Sequence, residues 1–159
     1  KVDLKCFDEK KYRRLGGNLP EVLESVRQIH AMGFWLEIVT LLIPEYNDSE
    51  EEIKSIAEFI ASISIDIPWH ITGFHPDYKM KDRQATSPGR LLFARQLGID
   101  SGLKFVYSGN RAGRVEGSEN TYCLSCGDLL IERYGFKVLA NRLKNGACQS
   151  CNSKIPGVW

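Results

Sequence analysis

Two Cys-x-x-Cys pairs, Cys123 with Cys126 and Cys148 with Cys151, stand 21 residues apart near the end of the chain and constrain its folding more than any other feature. A Cys-x-x-Cys loop turns two thiolates toward one point. Two such loops brought together complete a tetrahedral sulfur shell suited to zinc at about 2.3 Å per bond. Gly127 follows the first pair and Asn152 the second, and both are turn formers. The spacing predicts a four-thiolate zinc site made by Cys123, Cys126, Cys148 and Cys151, and the same ligands would accept iron. Two disulfides or a redox dithiol are the competing uses. They call for an oxidising compartment or a thioredoxin-like unit, and neither is visible in the sequence. A closed four-thiolate shell has no open coordination position, so this site is expected to be structural. Chemistry must be sought elsewhere in the chain.

The 159 residues are 43% hydrophobic, which suits one larger domain with a small metal-stapled appendage. Residues 1–103 carry 13 basic and 16 acidic side chains, whereas residues 104–159 carry 8 and 4. This mild basic bias falls short of the patch expected of a dedicated nucleic-acid binder. No apolar run approaches the roughly 20 residues that span a bilayer, and the N-terminus lacks a charged-then-apolar signal pattern. Cys6 is left over once the four paired cysteines are assigned, and a free thiol fits a reducing compartment. These features predict a soluble, cytoplasmic chain. It opens with Lys1-Val2-Asp3-Leu4, without Met and already inside a strand-like run, as expected of the later part of a longer protein.

Taken in order, Lys1–Lys5 reads as a strand, Phe7–Leu15 as a charged loop, and Gly16-Gly17 as a break. Asn18 and Pro20 start a helix with Val22, Val26 and Ile29 on one face, ending at Gly33. Phe34–Ile43 is an apolar, β-branched run broken only by Glu37 and Thr40, as in a strand covered on both faces. Being three apart on a strand, Glu37 and Thr40 face opposite sides. Ser49 with Glu52 reads as a capping box for a helix to about Ser62. Trp69–Phe74 is a third strand, Tyr78–Thr86 a polar and mobile loop, and Ser87-Pro88 a helix start running to Gly98 or Gly102. Lys104–Tyr107 is a fourth strand, Ser108–Ser118 a linker, and the apolar Val158-Trp159 ending is expected to tuck back onto the ribbon. The alternation of strand and helix predicts an α/β fold with right-handed βαβ units and a parallel sheet. Ligands bind beyond the carboxyl ends of such strands, which here are Asp3–Lys5, the loop after Ile43, and Phe74-His75.

Val2-Asp3-Leu4-Lys5, Ile43-Pro44-Glu45-Tyr46-Asn47-Asp48 and Ile71-Thr72-Gly73-Phe74-His75-Pro76, taken with the paired cysteines and the Pro156-Gly157-Val158-Trp159 ending, resemble a known family. They are similar to radical S-adenosylmethionine enzymes of the pyruvate formate-lyase activating enzyme-like group, and most of all to the AmmeMemoRadiSam-system members. The resemblance implies a parallel-stranded part of a partial (β/α) barrel over residues 1–110, followed by a linker and four-cysteine zinc ribbon over 111–159. It implies that Lys5 meets the carboxylate of S-adenosylmethionine, that Asp3 lies in a nearby polar or cation site, and that His75 contacts the nucleoside end. Relatives of the activating enzyme often carry an Arg in the second strand. None occurs between Phe34 and Pro44.

The chemistry implied is reductive cleavage of S-adenosylmethionine to a 5′-deoxyadenosyl radical that takes hydrogen from a substrate, possibly a protein, with a 4Fe-4S cluster held by Cys-x-x-x-Cys-x-x-Cys. No such triplet exists here. The expectation is therefore a C-terminal portion that is inactive alone, with the cluster ligands outside it. The rival is a zinc-ribbon binding module in which Arg111, Arg114, Arg133, Lys137, Arg142 and Lys144 hold nucleic acid or a protein partner. The modest charge disfavours nucleic acid.

Overall fold

Asp8, Ser49 and Ser87 each stand in extended backbone just before a helix, and their side chains accept the N–H groups of Lys11, Glu52 and Arg90. These caps satisfy donors that a helix start leaves orphaned. They set three of the four helices in a computed structural model that describes residues 1–110, 115 and 117–159. The order is β1 (Val2–Asp3), α1 (Glu9–Arg14), α2 (Leu19–Ala31), β2 (Ile38–Leu42), α3 (Glu50–Ile63), β3 (Trp69–Gly73), α4 (Pro88–Asp100) and β4 (Val106–Gly109). The four strands form one parallel sheet in the order β1-β2-β3-β4.

Burial alternates along these strands, and the alternation shows which face is covered. Ile38, Thr40 and Leu42 of β2, Trp69 and Ile71 of β3, and Val106 and Ser108 of β4 are buried. They share a core with Val26 of α2, with Ile53, Ile56, Ala57 and Ile60 of α3, and with Leu91 and Ala94 of α4. Val39, Leu41, His70, Thr72 and Tyr107 alternate with them and are only partly covered. A sheet with helices on one side and a half-open opposite face is the parallel-stranded part of a partial (β/α) barrel.

Several sequence expectations are corrected. Phe7–Leu15 is not a loop but contains α1, whose Tyr12 is buried. β2 is shorter than Phe34–Ile43, because Phe34 and Trp35 are exposed. Asn18 makes no side-chain cap hydrogen bond and instead donates to Glu21 at 2.9 Å. Glu52 does not reach back to close a capping box. Its carboxylate accepts Phe7 N at 2.6 Å and Lys11 Nζ at 2.9 Å, so it ties α3 to the β1 exit. Of the two ends expected for α4, that near Gly102 holds, since the helix continues through Gly98 to Asp100. A Cβ at Gly98 would lie 3.0 Å from the Trp69 ring, so the glycine serves close helix-to-sheet packing. The fourth strand is Val106–Gly109 rather than Lys104–Tyr107. The far end of the Tyr78–Thr86 loop is fixed, with Thr86 buried and bonded to Phe74 N and Leu42 O.

The remaining strands make the ribbon. β5 (Thr121–Tyr122), β6 (Leu129–Tyr134) and β7 (Lys137–Asn141) form an antiparallel sheet, and β8 (Leu143–Lys144) pairs with β9 (Ala147–Cys148). Its small core is Cys123, Leu130, Ile131, Cys148 and Ile155, joined by Phe105 from the segment leading into β4. As expected, the chain end folds back: Trp159 Nε1 donates to Ile155 O at 2.8 Å, and the indole covers Gly146, where a Cβ would stand 2.3 Å from it.

Candidate cofactor cleft and metal centre

The metal centre rests on two knuckles of the same construction. Gly127 N donates to Cys123 O and Asn152 N to Cys148 O, both at 2.9 Å, while Gly127 and Asn152 take positive φ of 78° and 63°. Residues that tolerate the left-handed region are needed where each loop turns back on itself. The four Sγ atoms lie within 4.8 Å of one another. The Cys123–Cys151 and Cys126–Cys148 separations are 3.5 and 3.7 Å. Sulfurs at 2.3 Å from a tetrahedral centre stand about 3.8 Å apart, so the set fits a metal. All four cysteines are free thiols, which sets aside the disulfide alternative. Ser153, through its hydroxyl and backbone, holds the Cys151 thiol down at about 6. The Asp128 backbone draws Cys126 down, but burial and the neighbouring thiols push it up to about 12. Metal binding takes thiolates, so it displaces the thiol protons of the set. This is a four-cysteine metal-binding site.

Cys6 is apart from this group. It is fully buried beside α1, and burial raises its thiol to about 11.

At the carboxyl end of β1, Asp3 and Lys5 pair at 3.1 Å and line an open cleft of about 430 Å³ with Tyr12, Leu15, Gly16, Gly17 and Leu41. Both charged groups are solvated, so their pairing contributes little to stability and leaves them available to a ligand. The Tyr12 phenol donates to Asp3 O at 3.1 Å. A Cβ on Gly17 would come within 2.7 Å of the Tyr12 ring, which is why a glycine stands there. Sequence reasoning missed Tyr12, because the charged run around it hides a helix with one buried residue. His75 lies two residues beyond the end of β3, exposed at the same end of the sheet, and does not line the cleft.

A second group on the open face also escaped the sequence reading. Glu37 accepts His70 Nε2 at 2.9 Å and Trp35 Nε1 at 3.2 Å, and His70 stacks on Tyr107 with ring centroids 5.2 Å apart. The bond from His70, opposed by burial and aided by Trp35, holds Glu37 down at about 2. Glu37 and Thr40 do lie on opposite faces: Thr40 is buried under the helices, donating to Leu4 O and accepting Trp69 Nε1. Tyr107 continues into the ribbon, since its hydroxyl is 2.9 Å from Thr121 Oγ1 and the Arg133 guanidinium covers its ring. Arg133 is thus turned inward, and Arg142 bonds Leu129 O. Arg111 and Arg114 lie outside the described residues. No helix among the described residues is long and apolar enough to cross a membrane.

No family model matches the chain. It is 41% identical over 140 residues to an uncharacterised protein of Methanocaldococcus jannaschii, covering 86% of this chain and 41% of that protein. It is 34% identical over 89 residues to an isethionate sulfite-lyase activating enzyme of Oleidesulfovibrio alaskensis, covering 52% of this chain and 28% of that one. The chain therefore spans less than half the length of these curated relatives. Among solved structures, a domain of a pyruvate-formate lyase-activating enzyme from Bacteroides vulgatus superposes with a TM-score of 0.60 at 25% identity, over 69% of this chain and 65% of that one. Fold and sequence thus make the chain similar to lyase-activating enzymes and their domains.

Proposed function

We propose that this chain is the C-terminal portion of a radical S-adenosylmethionine enzyme, of the lyase-activating kind and of its AmmeMemoRadiSam-system branch. Residues 1–110 form the later part of its barrel, and 111–159 form the linker and a structural zinc ribbon. The carrying observation is the solvated Asp3–Lys5 pair in an open cleft at the carboxyl end of a parallel sheet. A cleft of a few hundred Å³ suits a ligand of nucleoside size. Lys5 suits the carboxylate of S-adenosylmethionine and Asp3 a cationic or polar group. Tyr12 and Gly17 shape the cleft wall, and His75 is exposed toward the same end for the nucleoside. When bound to a 4Fe-4S cluster, S-adenosylmethionine would supply a carbon radical that removes hydrogen from a substrate, and the similarity to lyase-activating enzymes is what favours a protein in that place.

Cys6 is buried and the other four cysteines are engaged, so we place the cluster ligands in residues outside this sequence and expect the chain alone to be inactive. The reduced thiols suit the cytoplasm. Titrating the zinc-loaded chain with S-adenosylmethionine, followed by backbone NMR, tests the proposal. Saturable shifts at Asp3, Lys5 and Gly17 are expected, weakened about tenfold by Lys5→Ala, the loss expected of one charge-assisted contact. Absence of saturable shifts there overturns the cofactor assignment. In the intact protein, the gene upstream of Lys1 should encode the cysteine triplet.

A further inference from the structure

β1 is the most lightly laddered strand of the parallel sheet. It pairs with β2 only through Val2 with Ile38 and Asp3 with Val39, followed by one bond from Leu4 N to Val39 O at 3.0 Å. Continued by two positions, that register sets Lys5 beside Leu41, and there a buried side chain stands in for the ladder. Asn47, in the loop after β2, is 1% exposed. Its Nδ2 donates to Lys5 O at 2.6 Å and to Leu41 O at 2.9 Å, while its Oδ1 accepts Ile43 N at 2.7 Å. Two carbonyl oxygens on one side and an N–H on the other fix which way the amide points. Aspartate would have no donor for the two carbonyls, and serine or threonine only one.

The two residues joined by this amide differ in what else holds them. Leu41 pairs with Thr72 inside the β2–β3 ladder, so it keeps its place without Asn47. Lys5 lies beyond the β1 ladder, where side chains hold the backbone: Thr40 Oγ1 donates to Leu4 O at 2.8 Å, and Asn47 takes Lys5 O. Both Lys5 and Leu41 line the cleft. A lysine stem is flexible, so the reach of its ammonium is set by where its backbone leaves the sheet.

We propose that Asn47 is the positioning residue of this cleft: by holding the Lys5 backbone against β2, it fixes the ammonium where a ligand carboxylate is received. The clamp stands on geometry. Its ligand, the carboxylate of S-adenosylmethionine, rests on the function proposed above.

The test uses NMR on the zinc-loaded chain. In the native protein, a coupling across the hydrogen bond should be detected between Asn47 ¹⁵Nδ2 and the Lys5 carbonyl ¹³C. Asn47→Ser should weaken S-adenosylmethionine binding about fivefold, the effect of one neutral hydrogen bond. It should leave binding of 5′-methylthioadenosine, which lacks the carboxylate, unchanged. In a Lys5→Ala background the same substitution should cause no further loss, because residues that act through one contact are not additive. A residue serving the fold alone would weaken both ligands, and in both backgrounds. Binding and clamping are reciprocal, so in the native chain S-adenosylmethionine should slow exchange of the Asn47 side-chain amide hydrogens by about the same factor, and 5′-methylthioadenosine should not. This last measurement needs no variant and decides the matter if Asn47→Ser fails to fold. Equal losses for the two ligands, additive losses with Lys5→Ala, or exchange that S-adenosylmethionine leaves unchanged would each overturn the proposal. If the native chain shows no saturable shifts at Lys5, the cofactor assignment falls, whereas a missing coupling between Asn47 and Lys5 removes the clamp whatever the ligand.

Discussion

The sheet-and-helix region and the ribbon are held together by different physics. The first has a continuous core of Leu4, Ile38, Leu42, Trp69 and Ile71 beneath three helices. The ribbon buries few apolar side chains, and two members of its core, Cys123 and Cys148, are metal ligands. A core that small does not offset the chain entropy of its ordered residues, so the metal must supply the difference. Where a chain cannot bury enough surface, ligand bonds take the place of packing.

The largest test of this contrast is removal of one ligand. Cys123→Ser, or chelation, should forfeit on the order of 10 kcal/mol of apparent metal-binding free energy, unfolding β5–β9 and leaving β1–β4 folded. Hydrogen exchange would show protection lost only after about residue 118, and simultaneous collapse of both regions would break the comparison. The converse change is Ile56→Ala, at a fully buried position of α3, which should cost about 4 kcal/mol in chemical denaturation without releasing metal.

A smaller effect separates the open face from both cores. Glu37 is held below its ordinary 4.5, at about 2, so its contribution is present above pH 4.5 and lost as pH falls toward 2. The wild type should exceed Glu37→Gln in stability by at most about 3 kcal/mol near neutral pH, and acid titration of both should show that difference vanishing across this window. The smallest effect is at the join. Tyr107→Phe removes the hydroxyl that meets Thr121 and should cost about 1 kcal/mol, read as faster exchange in β5 with the metal retained.

What was legible in the sequence was local. Ser49 and Ser87 announced their helices, Gly33 ended one, and the cysteine spacing announced a metal shell before any fold was known. Features that depend on tertiary pairing were hidden. α1 has no apolar stripe, only Tyr12, so its charge read as a loop. Phe34 and Trp35 look like strand residues but lie exposed before β2 begins. Gly98 and Gly102 both read as possible helix stops, and Gly102 is the one beside the true end, because nothing local reveals the Trp69 ring that needs the space at Gly98. The partnership of Glu37 with His70 spans 33 positions, and only the β2–β3 register brings them together. The cleft at the β1 exit falls between these cases: Asp3 and Lys5 were suggested by their place at a strand exit, while Gly17 and Tyr12 became visible only as a packed pair.

The seclusion of Cys6 has a practical consequence. With its sulfur sealed from water and reluctant to ionise, it will ignore alkylating reagents that consume the other four thiols within seconds once the metal is stripped. Counting modified sulfurs against time should therefore divide the chain's cysteines into a fast quartet and a solitary laggard. That laggard becomes an internal clock for the opening of the sheet, read by mass spectrometry without any label.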